Sequence, residues 1–110
     1  MPMYNNPEFQ ALRREYMQGV LERCQYLSEE TERLRKGEPV DLRGLRSEIH
    51  KCRGSGGFYG FTALSGASAV AEDQLVLVLD GEAERNDQEL TELVQRVVDA
   101  IHAAAREVGL

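Results

Sequence analysis

The chain has 110 residues, 42% of them hydrophobic and 29% charged, with three Phe, four Tyr and no Trp. That leaves room for one domain over residues 1–110, with a mainly aliphatic core large enough to fold without staples. A formal net charge of −6 argues against a general nucleic-acid or anionic-membrane binder, because both need broad positive fields.

The first predicted helix runs from about residue 7 to residue 36. Asn6 suits its N-cap, and Pro7 suits the first helical position, where a missing N–H costs nothing. Phe9, Leu12, Tyr16, Val20, Cys24, Leu27, Thr31 and Leu34 follow three- and four-residue steps and predict one buried stripe. Gly37 and Pro39 stop it. Asp41 can cap a second helix with core face Leu42, Leu45, Ile49 and Cys52. The glycine-rich stretch from Gly54 to Gly60 is expected to end or loosen that helix.

Thr62 is expected to cap a third helix, in which Leu64, Ser68, Ala71, Leu75 and Val78 share a face. The apolar run Leu75 to Leu79 suits a buried strand equally well by composition. The chain holds no second run of that type to pair with it, so helix is preferred. A fourth helix begins near Asn86 or Asp87, with Glu89 and Glu92 in its early turns, where the dipole favours acids. Leu90, Leu93, Val97, Ile101, Ala104 and Val108 form its stripe, and Gly109 can end it.

No apolar run is expected to reach the ~18 residues of a membrane span, and no signal-peptide core follows the Met-Pro-Met start. Cys24 and Cys52 fall at apolar helical positions and read as buried free thiols. These patterns together predict an all-α protein, an antiparallel four-helix bundle, with the cytoplasm as its default location.

The chemistry concentrates between His50 and Phe61. Arg43, Arg46, His50, Arg53 and Gly57 step by three and four along the second helix, one residue (about 100°) away from its core stripe. His50 should therefore project to solvent from a basic face. Glycine inside a helix costs about 0.5–1 kcal/mol relative to Ala, so the cluster needs a reason. Access is one: with no side chain at Gly54, a partner backbone can come close to the imidazole. A simple turn between helices is another. From the residues alone the face is an accessible, basic-flanked histidine and no more. His102 sits beside core position Ile101 without glycines or cations and reads as structural or surface. Ser47 and Ser55 have no base to activate them, and Phe58 and Tyr59 suit the helix junction.

The stretch resembles the signature of histidine phosphotransfer (HPt) domains: a histidine, a basic residue three further on, a glycine immediately after it and a second glycine six residues later. His50, Arg53, Gly54 and Gly60 occupy those positions, and Phe61 to Ser65 with the small-residue helix up to Glu72 matches the usual continuation. Two departures are Arg53 in place of the commoner lysine, which keeps charge but changes geometry, and Cys52 in place of an aliphatic residue.

The resemblance implies a four-helix bundle with the active histidine exposed on the second helix, and a phosphoryl carrier rather than an autokinase. By that resemblance, His50 accepts the group from the aspartyl phosphate of a receiver domain and passes it to another receiver. Arg53 would offset phosphoryl charge, with Arg46, Gly54 and Gly57 as partner- or phosphoryl-facing positions. Glu72 is a candidate for orienting the imidazole. The chain needs no cofactor or metal of its own, since Mg2+ would belong to the receiver. The expected partners are response-regulator receivers and a hybrid sensor histidine kinase, with no nucleic acid and no membrane, and the chain acting as a monomer. The alternative is an adaptor or inhibitor that binds a receiver or kinase through the same face without chemistry.

Overall fold

In the computed structural model, residues 6–110 are described, and the Met-Pro-Met start lies outside them. Four helices follow in order: α1 (Pro7–Arg35), α2 (Leu42–Phe58), α3 (Thr62–Leu79) and α4 (Asp87–Glu107). At 1.5 Å per residue the 29 residues of α1 account for nearly all of the 45 Å long axis.

Local chemistry explains most of the boundaries. The Asn6 side chain accepts from the Glu8 and Phe9 amides, Asp41 from Gly44 and Asn86 from Glu89, so three of the four helices open on a side-chain cap. The glycine-rich stretch from Gly54 to Gly60 does end the second helix, but at its far side: the helix runs on through the first glycines to Phe58. Its stop comes at Gly60, whose φ of +81° lets Gly60 and Phe61 donate back to the Gly57 and Gly56 carbonyls, a left-handed closure that glycine adopts without strain. Thr62 is the first helical residue rather than the cap. Phe61 takes the cap position; its hydrocarbon side chain has no acceptor to offer, and at 3% exposure it serves as a core anchor instead.

Antiparallel order follows from the contacts. Arg13 near the start of α1 donates from Nε to the Tyr59 carbonyl at 2.8 Å and from Nη2 to Glu107 at the end of α4 at 3.1 Å. The contacts Gly57–Ser65 and His50–Glu72 run in opposite directions along α2 and α3. The α2–α3 and α1–α4 seams are the most extensive, α3 also lies along α4, and α1 meets α2 only loosely.

The core joins Met17, Val20, Leu27, Leu45, Ile49, Leu64, Leu75, Leu90, Val97 and Ile101, each large aliphatic side chain contributing about 1.5–3 kcal/mol by leaving water. Cys24 and Cys52 are buried and free, as expected. The Leu75 to Leu79 run is helical. At the start of α1 the predicted stripe is off by one residue. Leu12 is 49% exposed, while Arg13 and Met17 point inward. Arg13 can do so because its guanidinium lies 4.3 Å from the Phe61 ring centroid and finds acceptors on three elements, burying its aliphatic stem.

A further correction concerns α3. Its eighteen residues are long and apolar enough, by length and composition, to cross a membrane, although Glu72 and Asp73 interrupt the run. In the bundle this helix turns Leu64, Ser68, Ala71, Glu72 and Leu75 inward.

Candidate functional site

The α2–α3 seam brings His50 beside a buried carboxylate. The Glu72 side chain is only 4% exposed, whereas that of His50 is 62% exposed. A buried charge is tolerable only when its lone pairs are occupied, and Glu72 is well supplied. Its Oε2 accepts from Arg46 Nε at 2.9 Å and lies 2.8 Å from His50 Nδ1, and its Oε1 accepts from Arg53 Nη1 at 3.2 Å.

This geometry sets the tautomer. A carboxylate can only accept, so the proton of a neutral His50 ring belongs on Nδ1 and the lone pair on Nε2. Arg46 and Arg53 are thus brought together with His50, but on the Nδ1 side and bound to Glu72. Arg53 has a second acidic partner, Asp73 Oδ1 at 3.0 Å. Asp73 first and then Glu72 raise the guanidinium's pKa above its ordinary value, so Arg53 is a fixed cation.

His50 stands on a ridge between two grooves. One runs along α3, past Arg46, Arg53, Glu72, Asp73 and Leu77. The other lies between α1 and α2, past Leu12, Tyr16, Gly19, Lys51 and Gly54. The glycines divide accordingly. A Cβ at Gly54 or Gly19 would meet nothing within 4 Å, whereas at Gly57 it would lie 3.2 Å from Ser65 Oγ and at Gly56 3.4 Å from Leu64. Gly56 and Gly57 therefore let α2 and α3 approach. The structure puts Gly57 against Ser65 of α3 rather than beside the imidazole. At Gly54 nothing among the described residues requires glycine.

The remaining candidates are accounted for by structure. Ser55 donates to the Lys51 carbonyl and Tyr16 donates to Ser55 at 2.8 Å, so that hydroxyl is spent. Tyr59 stacks on Tyr16 with ring centroids 4.5 Å apart. Phe58 instead stands 67% exposed, edge-on to Tyr59. The Nε2 of His102 lies 3.5 Å from the Cys24 thiol. Burial pushes the Cys52 thiol up to about 11, and Cys24 is raised by the same cause, so both remain protonated at neutral pH and inert.

Sequence reasoning placed His50, Arg46 and Arg53 on one face of one helix. It missed Asp73, whose only cue was its place next to Glu72. It also missed the buried Arg13 brace, since an arginine flanking a leucine reads as surface.

No curated protein and no solved structure matches the chain. The family model described as "Hpt domain" matches residues 11–106, which takes in all of α2 and α3 and most of α1 and α4. That family consists of helical-bundle phosphocarrier modules of two-component phosphorelays, which work with receiver domains of response regulators and with kinases. With a match over nearly its whole length and an all-helical fold, the chain belongs to the Hpt domain family.

Proposed function

We propose that His50 is the phosphoryl acceptor, and that the chain carries the group from one receiver's aspartyl phosphate to another receiver. The observation that carries this reading is the His50–Glu72 pair, in which Nδ1 is tied to a buried carboxylate while the ring stands exposed. In the transfer, the Nε2 lone pair attacks phosphorus. The N–P bond forms as the P–O bond to the receiver's aspartate breaks, and the electron pair departs on that carboxylate. The Nδ1 proton stays in place, hydrogen-bonded to Glu72, whose charge offsets the positive charge the ring acquires.

Arg53 stands one turn from His50 and offsets phosphoryl charge, with Arg46 adding to the positive rim. Gly54 clears the approach from the α1–α2 side. Gly57 contributes by letting α3, and with it Glu72, come close. We assign no autokinase activity and no cofactor to the chain. The Mg2+ belongs to the receiver, whose acidic pocket suits the basic rim around His50. A monomer acting in the cytoplasm on response-regulator receivers, or on a hybrid sensor kinase, fits this role, with neither nucleic acid nor membrane as a partner.

The test is incubation of the chain with a phosphorylated receiver. The label acquired should be acid-labile and alkali-stable, and the His50→Gln variant should acquire none. Label persisting undiminished in that variant moves the site elsewhere. A wild-type chain that binds the receiver but takes no label is an adaptor, and the transfer reading fails.

A further inference from the structure

Arg53 is held by two acids of opposite character. Nη1 donates to Glu72 and to Asp73, but the Glu72 side chain is 4% exposed and that of Asp73 is 70% exposed. Glu72 is also committed to Arg46 and His50. Asp73 bonds to Arg53 alone among the described residues. One contact is thus built into the seam, while the other sits at its rim in water.

We propose that Asp73 is a releasable latch on Arg53. It holds the guanidinium toward α3 in the resting protein and yields it to the phosphoryl oxygens during transfer, which makes Asp73 a positioning residue. This proposal rests on His50 being the acceptor. Solvated ion pairs of this kind are weak and exchange readily. A phosphoryl group brings close to two negative charges and three acceptor oxygens, and a planar guanidinium can engage two of them at once. Both acids accept from Nη1, so its bond to Glu72 can persist while its other hydrogen passes from Asp73 to a phosphoryl oxygen. Asp73 competes with the transferring group for the same donor. Its removal should therefore speed the reaction.

The measurement is the initial rate of label transfer from a phosphorylated receiver to the full chain, for the wild type, Asp73→Asn, Arg53→Gln and the double variant. Asp73 is exposed, so Asn should leave the fold undisturbed. Asp73→Asn should transfer about threefold faster, as expected for releasing one exposed pair, and the gain should shrink as salt screens that pair. It should vanish in the Arg53→Gln background. An unchanged or slower rate for Asp73→Asn overturns the latch. So does a gain that survives in Arg53→Gln, because Asp73 would then act as a bare charge repelling the receiver's phosphate. Failure of the wild type to take label at all overturns the acceptor reading itself, which separates the two failures.

Discussion

The two flanks of His50 are built by opposite means. Toward α3 the surface is closed: Arg46, Arg53 and the His50 ring converge on one buried carboxylate, and Gly56 and Gly57 draw the helices together until Leu64 and Ser65 fill the space a side chain would take. Toward α1 it is open: Gly19 and Gly54 face empty space, Leu12 is exposed, and α1 and α2 touch little. The relay role proposed for His50 needs both conditions at once. One nitrogen must be fixed so that the other is aimed, and the aimed one must be reachable by another protein's active site. The bundle meets these demands by giving each to a different neighbouring helix.

The largest expected effect breaks the closed flank. Glu72→Gln keeps the volume but leaves one acceptor oxygen for three donors, and it turns an NH2 group toward cations. Transfer should slow about thirtyfold, the scale of a hydrogen bond to a charged group. Nitrogen NMR should show the His50 proton no longer confined to Nδ1. Wild-type transfer together with an unchanged tautomer would show that the α3 flank does not orient the ring.

Next comes the open flank. Gly54→Leu puts a bulky side chain where the chain itself has room but a docking receiver would not. The variant should fold normally by circular dichroism and transfer about tenfold more slowly, through displacement of the two active sites from in-line geometry. Undiminished transfer would mean that the receiver approaches from elsewhere.

Much of this division can be traced to particular residues in the sequence. The stripe Leu42, Leu45, Ile49 and Cys52 fixes which way α2 faces, and with it the exposure of His50. Asn6, Asp41 and Asn86 announce their helices because a cap is a local bond between near neighbours. Glu72 is harder to read. It lies one turn from core position Ser68 and beside Ala71, and an acid on a helix ordinarily faces water. Only the antiparallel pairing of α3 with α2 supplies the three donors that make its burial tolerable, and pairing is a property of two segments rather than one. The same holds for Gly57. Its neighbour Ser65 lies across the seam, so sequence spacing alone placed it on the histidine's face without revealing what it touches. Leu12 was misplaced because the N-terminal turns of α1 are oriented by Arg13, whose partners lie at the ends of α2 and α4.

The smallest effect sharpens the contrast through stability rather than transfer. In a helix interior, replacing Gly with Ala gains about 0.5–1 kcal/mol if the new methyl group meets nothing. Gly54→Ala satisfies that condition, because a Cβ there has no neighbour within 4 Å. Urea unfolding should show a gain of that size, about 4 °C in Tm for a domain of this length. Gly57→Ala starts with the same intrinsic gain but places the methyl 3.2 Å from Ser65 Oγ. That hydroxyl cannot easily withdraw, since it donates to the Arg53 carbonyl at 2.8 Å and ties the two helices together. The backbone of α2 or α3 must yield, and the seam loosens in proportion. Gly57→Ala should therefore gain nothing or lose stability. Equal gains at the two positions would mean that α2 and α3 are not closely packed there, and the glycines would then be interchangeable along the helix. A gain at Gly54 alone would show that this position forgoes stability that its own fold would allow, which is the mark of a site kept clear for a partner.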